Sequence, residues 1–142
     1  MESATVSFRI LGAAGLLLGL TACTSSLSYL ERQDGELARF EKHAGEPIER
    51  IRAFQGVDQW QALSPLKLVI WTGVSRAYLL TMRAPCTGLE YQKAIAITST
   101  NNIIDARFDK VRFEQQVCYF SEIRPVDYQA VQQERRDAKS ES

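Results

Sequence analysis

Two apolar segments follow one another in the middle of the chain: residues 66–73 read LKLVIWTG and residues 75–82 read SRAYLLTM. In places both segments are apolar on successive positions rather than on alternate ones. That pattern is typical of strands that are covered on both faces, as in the centre of a sheet or in a barrel. We therefore predict that these two strands are central to the fold.

Shorter strand-like segments lie on either side of this pair. Before it come ERIRAF (49–54), which alternates polar and apolar residues, and WQAL (60–63). After it come AIAIT (94–98), then IIDARFDKVRF (103–113) and VCYFSEI (117–123), which flank EQQ as a hairpin would. Six or seven closely spaced strands predict a mainly β protein, a small antiparallel sheet or barrel with short peripheral helices. An α+β fold is the alternative.

Helix signals lie at the two ends of this β region. Asp34 is a typical N-cap, and Gly45 followed by Pro47 is a typical helix end. The short helix between them either packs on the domain or spaces it from a membrane. The position of His43 near the helix end is better explained by solvent and the helix dipole than by a role in catalysis. After the last strand, Pro125 predicts the first turn of a short helix that fades into a charged tail.

The composition is that of one globular domain. The chain has 142 residues, of which 45% are hydrophobic and 24% charged. Seventeen basic residues balance seventeen acidic ones, so no overall field attracts the protein to nucleic acid or to anionic lipid. We predict no nucleic-acid partner.

The N-terminal segment has the pattern of an export signal. Residues 10–20, ILGAAGLLLGL, follow Arg9 and carry no charge, but they are shorter than the ~20 apolar residues that a membrane-spanning helix needs. The next residues, LTAC (20–23), resemble the processing box of bacterial lipoproteins, which is cut between Ala22 and Cys23. Two alternatives are a plain signal peptide whose cleavage site contains a cysteine, and an N-terminal anchor that is never cut.

The resemblance to lipoproteins implies that the Cys23 thiol accepts a diacylglyceryl group. Several acyl chains, palmitate among them, would hold the protein stably on a membrane. The membrane is therefore the partner that the resemblance implies. Thr24 stands at the sorting position, where aspartate favours the inner membrane, so the resemblance implies the periplasmic face of the outer membrane. The expected organisation is a signal peptide (1–22), a lipidated tether (23–33), a short helix and linker (34–48), a β domain (49–127) and a polar tail (128–142).

If Cys23 carries lipid, two cysteines remain, Cys86 and Cys118. In an oxidising compartment a disulfide is the default expectation for such a pair. A redox-active or metal-binding pair is the alternative, but neither cysteine belongs to a CxxC motif and His43 is the only histidine. We expect a structural disulfide and no metal or other cofactor.

Several segments together are similar to an uncharacterised family of small proteobacterial lipoproteins that is known only as a domain of unknown function. The resemblance covers residues 51–127 and is most specific in RAYLL, the two spaced cysteines, RFDKV and IRPVD. It implies the localisation and the disulfide, and it implies no activity.

Four residues are candidates for ligand binding. Trp71 and Tyr78 belong to a set of strand aromatics that form either a binding platform or core. Arg107 and Asp109 supply charge on the predicted hairpin, where Asp109 could also pair with Asp105 or Glu122 for acid–base chemistry. No serine lies in a nucleophile-elbow pattern. We therefore expect a structural or binding component of the envelope with a protein or glycan partner, and not an enzyme; a carboxylate-dependent enzyme acting on cell-wall glycan is the alternative.

Overall fold

The computed structural model describes residues 24–141. Along the chain the elements are α1 (Thr24–Lys42), β1 (Arg50–Arg52), β2 (Gln59–Ser64), β3 (Lys67–Trp71), β4 (Arg76–Met82), β5 (Ala96–Ile97), β6 (Ile103–Asp105), β7 (Lys110–Phe113), β8 (Gln116–Asp127) and α2 (Tyr128–Ser140). One turn of 3-10 helix, Leu89–Tyr91, lies between β4 and β5.

Six strands form one antiparallel sheet in the order β2-β3-β4-β8-β7-β5. This sheet curls into a half-barrel. Strands β1 and β6 form a separate antiparallel pair. The fold is thus mainly β with two flanking helices, which confirms the predicted class.

The two apolar segments, now β3 and β4, are central strands because each contributes to a core on both faces of the sheet. Leu68 and Leu80 lie in the larger core, on the side that β1 and β6 also contact. Val69 and Leu79 lie in a second core, on the side that α1 and α2 cover. All four side chains are fully buried. Adjacent strand residues point to opposite faces, so a strand that is covered on both sides must be apolar throughout.

The segment 103–113, predicted as one strand, is two strands in different sheets. Strand β6 pairs with β1, whereas β7 pairs with β8 and β5. A turn separates them, in which the backbone N–H of Asp109 donates to the carbonyl of Asp105 at 3.0 Å. The predicted hairpin is confirmed for its β7–β8 part.

Helix α1 begins at Thr24, so the prediction that a helix starts at Asp34 after a flexible tether was wrong. Residues 28–32 are exposed, so packing does not explain this extension; adding residues to a helix that has already formed costs little, because each one adds a hydrogen bond. Helix α1 packs instead through Phe40, which is fully buried against Trp71 and Tyr128. Neither α1 nor any other helix within residues 24–141 is long and apolar enough to cross a membrane.

Charged groups join α1 to α2. Oε2 of Glu134 on α2 lies 2.8 Å from His43 Nε2 and accepts a hydrogen bond from Lys42 Nζ at 3.1 Å. These hydrogen bonds hold the pKa of the Glu134 carboxyl below its usual value, and the bond with His43 has the largest effect. Arg135 pairs with Glu36; burial disfavours the charged form of Arg135, but the hydrogen bond and charge of Glu36 outweigh it and raise its pKa. His43 therefore has a partner and is not simply exposed to solvent.

Helix α2 is longer and starts later than predicted. Pro125 is part of β8, opposite Tyr78 of β4, and not of a helical turn. Asp127 is the N-cap, since its side chain accepts a hydrogen bond from the backbone N–H of Ala130 at 3.1 Å. Most of the region expected to be a polar tail is therefore helical, and it buries Val131 against the sheet.

Candidate functional site

Cys86 and Cys118 form a disulfide, as predicted, with their Cα atoms 5.9 Å apart. Cys86 is buried, and its backbone N–H donates to the carbonyl of Pro65 at 2.8 Å. Cys118 lies on β8 opposite Val111 of β7. The bridge thus joins the segment that follows β4 to the β7–β8 hairpin.

The carboxylate of Asp109 is buried and hydrogen-bonded within the fold. Its Oδ1 accepts a hydrogen bond from the Thr98 hydroxyl at 2.6 Å, and its Oδ2 accepts one from the backbone N–H of Asp105 at 2.7 Å. The residue is 8% exposed. Oδ1 therefore ties the turn between β6 and β7 to the residue that follows β5, and Oδ2 ties it to the end of β6.

Arg107 lies at the surface near this turn and pairs with Glu49, to which its Nη2 donates at 2.9 Å. A small cavity of about 210 Å³ contains Arg107 and Glu122 in its lining, but neither Asp105 nor Asp109. The carboxylates considered for acid–base chemistry therefore do not converge on one cavity. Asp109 and Arg107 have separate structural partners.

Trp71 and Tyr78 lie on opposite faces of the sheet. Trp71 is buried beneath the helices, with its ring centroid 5.3 Å from that of Tyr128. Its edge lines a cavity of about 390 Å³ beside α2. Tyr78 packs against the other core. Tyr78, Trp71, Arg107 and Asp109 are therefore not brought together in one place; Trp71 belongs to one core, and Tyr78 packs against the other.

Two further predicted site residues, Ala22 and Cys23, lie outside the described residues, so cleavage and lipidation remain predictions. Within residues 24–141, no three His, Cys, Asp or Glu side chains are grouped as ligands for a metal ion.

Within the described part of the chain, a groove of about 640 Å³ runs along β2. Four successive residues of β2 line it: Trp60, Gln61, Ala62 and Leu63. Side chains of successive strand residues point to opposite faces, so a cavity that touches all four runs along the edge of the strand. Among residues 24–141, β2 is an edge strand that has β3 as its single neighbour in the sheet. We call this cavity the β2-edge groove.

The hydrogen bonds of β3 show which backbone groups of β2 face the groove. The backbone N–H of Thr72 donates to the carbonyl of Arg76, and that of Met82 donates to the carbonyl of Leu66. The even-numbered residues of β3 therefore make their backbone hydrogen bonds with β4. The odd-numbered residues of β3 therefore face β2. Their partners in the register are Gln59 and Gln61.

It follows that Trp60 and Ala62 direct their backbone N–H and C=O groups away from the sheet, towards the groove. Neither residue has a backbone hydrogen bond on that side within the described part of the chain. An edge strand with free backbone groups is a template for pairing with another strand. The groove therefore presents two donors and two acceptors of the main chain at strand spacing.

Polar side chains form the walls of the β2-edge groove. One wall is α1, and the other is the segment around the 3-10 turn. They provide two cationic, two acidic and two amide side chains: Arg32, Lys93, Glu36, Glu90, Gln33 and Gln92. One oxygen of Glu90, Oε2, is buried without a hydrogen-bond partner among the described residues.

The site was not predictable from the sequence, because three residues of its α1 wall, Tyr29, Arg32 and Gln33, come from the segment that was expected to be a tether. The available signal was the alternation in residues 59–62, where Gln59 and Gln61 on one face alternate with Trp60 and Ala62 on the other.

These features define a small half-barrel β protein with a polar groove along its edge strand. The chain belongs to the family of unknown function DUF6491, whose model matches residues 6–142. The expected membership of a family without an assigned activity is thereby confirmed. No curated protein and no solved structure matches the chain.

Proposed function

We propose that the protein is a lipid-anchored component of the cell envelope, held on the periplasmic face of the outer membrane, that binds an extended polypeptide segment in the β2-edge groove. It acts by binding and not by catalysis. The observation that carries the binding proposal is the free edge of β2 inside the groove. The LTAC segment at residues 20–23 supports the anchor.

Strand addition is the binding mode that this edge suits. A peptide that pairs with a free strand gains affinity from main-chain hydrogen bonds and specificity from pockets for alternate side chains. β2 has six residues, about 20 Å of strand at ~3.3 Å per residue. The volume of about 640 Å³ is within the ~300–1,000 Å³ typical of ligand sites.

The two sides of the groove define the sequence that would bind best. Partner residues that lie opposite Trp60 and Ala62 would point to the same face as these apolar side chains. Partner residues opposite Gln61 would point towards α1, where Arg32 and Gln33 lie. We therefore expect a segment that alternates apolar and polar residues over about four positions.

A proline at position 62 tests the binding mode. Ala62 uses no backbone N–H in the β2–β3 ladder, and proline is tolerated in an edge strand when its nitrogen faces outwards. Ala62→Pro is therefore expected to leave the melting temperature nearly unchanged while it removes one donor and obstructs the edge. Ala62→Val, which keeps the N–H, is the matched control.

Binding is measured by photo-crosslinking in the native envelope from a benzophenone residue in place of Lys93, with Gln129 on α2 as a control position. Crosslinks from position 93 should identify one extended protein segment. Their yield should fall about tenfold or more with Ala62→Pro, the result of losing ~1.4 kcal/mol, and stay nearly constant with Ala62→Val. Equal yields for the two variants, or crosslinks to glycan alone, would contradict the proposal.

The anchor is tested separately by the intact mass of the protein extracted from its native envelope. The expected mass lacks residues 1–22 and includes acyl chains on Cys23. An unprocessed mass would contradict the proposed localisation and leave the groove proposal standing.

A further inference from the structure

A cluster of basic and aromatic side chains covers the outer surface of the β7–β8 hairpin. Lys110 lies opposite Tyr119 in the register, and Arg112 lies opposite Val117. Directly opposite residues of an antiparallel pair point to the same face. Arg83 follows β4 and joins this face, since its backbone N–H donates to the carbonyl of Tyr119 at 2.9 Å. We call these five residues the basic face.

Two of its cations flank a single ring. The guanidinium carbon of Arg83 lies 5.5 Å from the centroid of Tyr119, and Nζ of Lys110 lies 5.2 Å from the same centroid. Arg83 is also fixed by hydrogen bonds to the backbone carbonyls of Phe120 at 2.8 Å and Arg107 at 2.6 Å. Two positive charges are therefore held close together in a defined geometry.

No acidic side chain within residues 24–141 forms an ion pair with Arg83, Lys110 or Arg112. Two of the nearby carboxylates are used elsewhere: Asp109 holds the turn beneath the face, and Glu49 pairs with Arg107. The chain as a whole has no net charge, so the positive charge of this face is a local feature that the composition does not show.

Exposed apolar groups accompany these cations. Val117 is 46% exposed and Tyr119 is 44% exposed, and Phe108, next to the carbonyl that binds Arg83, is 74% exposed. Basic residues together with exposed tyrosine and other apolar side chains are typical of surfaces that lie at a membrane interface.

We propose that the basic face docks on the headgroups of anionic phospholipids. The ligand groups are the phosphates, which the guanidinium and ammonium groups bind, while Tyr119 and Val117 contact the apolar edge of the headgroup layer. Each basic residue near an anionic surface strengthens association about fivefold. The inference goes beyond the proposed function, because it requires neither the lipid on Cys23 nor a peptide in the β2-edge groove.

Lysine footprinting of the full chain tests this docking. The protein is mixed with vesicles of phosphatidylcholine alone or with added phosphatidylglycerol, and acylation of Lys110 is compared with that of the exposed Lys139 on α2. With phosphatidylglycerol, Lys110 should be acylated several-fold more slowly, because the headgroups cover it in the bound protein, and Lys139 should be nearly unaffected. Arg112→Gln should restore much of the acylation, whereas Arg136→Gln on α2 should not.

Three results would overturn the proposal. They are equal acylation of Lys110 in the two kinds of vesicle, protection that Arg112→Gln leaves intact, and equal protection by soluble glycerol phosphate at the same headgroup concentration. The last result would assign the face to a free phosphate compound and not to a membrane surface. The backbone of Arg112 belongs to the β7 ladder, but among the described residues its side chain makes no ion pair, so Arg112→Gln should remain folded.

Discussion

Replacing Cys86 and Cys118 together with alanine is expected to lower the free energy of unfolding by about 3.7 kcal/mol. The bridge closes a loop of about 33 residues, and in the chain-entropy model its loss returns that much conformational freedom to the unfolded chain. The melting temperature should fall by roughly 10–20 °C, given ~3–5 °C per kcal/mol for a chain of this size. A change of this size is a large part of a typical total stability of about 5–15 kcal/mol.

Denaturant unfolding with and without a reducing agent measures this effect. Reductant should shift the unfolding midpoint of the original protein towards that of the double variant, and it should leave the double variant unchanged. This comparison separates the covalent bond from the packing of the buried Cys86 side chain, because reduction keeps both sulfur atoms in place. An original protein that unfolds at the same denaturant concentration with and without reductant would contradict a stabilising role for the bridge.

Phe40→Ala is expected to destabilise the protein by about 3–5 kcal/mol, the usual result of truncating a buried phenylalanine. The Phe40 ring is fully buried, 6.0 Å from Trp71 and 6.3 Å from Tyr128 between ring centroids, and the guanidinium of Arg135 lies 5.4 Å above it. Its loss would leave a cavity where α1, α2 and the sheet meet.

This prediction decides between two roles of α1. If the helix only separated the domain from a membrane, Phe40→Ala would have little effect on the unfolding transition. Leu30→Ala is the control on the same helix, since Leu30 is 54% exposed and its truncation should change stability by less than about 0.5 kcal/mol. Chemical denaturation followed by tryptophan fluorescence suits both variants, because Trp71 lies against Phe40.

The sheet was largely predictable because its strands carry local signals. β3 and β4 are apolar on both faces, and the β7–β8 hairpin has a polar turn between two strand-like segments. The error in 103–113 arose because the turn at Asp109 is stabilised by contacts with Thr98 and the backbone of Asp105. No local pattern of hydrophobic residues records such contacts.

The candidate sites were less predictable. Trp71 and Tyr78 belong to adjacent strands, and only the register shows that they point to opposite faces. The β2-edge groove depends on which side of β2 has a neighbour, which is a property of strand order. The basic face brings Arg83 beside Lys110 and Tyr119, although Arg83 is far from both in sequence.

By itself, the sequence determined the class of the fold, its two central strands, the β7–β8 hairpin and the pairing of Cys86 with Cys118. These features follow from the spacing of apolar residues, which is local in the sequence, and from the number of cysteines in the β region, which can be counted without a structure. The tertiary structure decided the length of α1, the free edge of β2 and the positive charge of the basic face. Each of these depends on which distant segments pack together and on which charges are neutralised, and a chain with no net charge can still present a face with several unpaired cations.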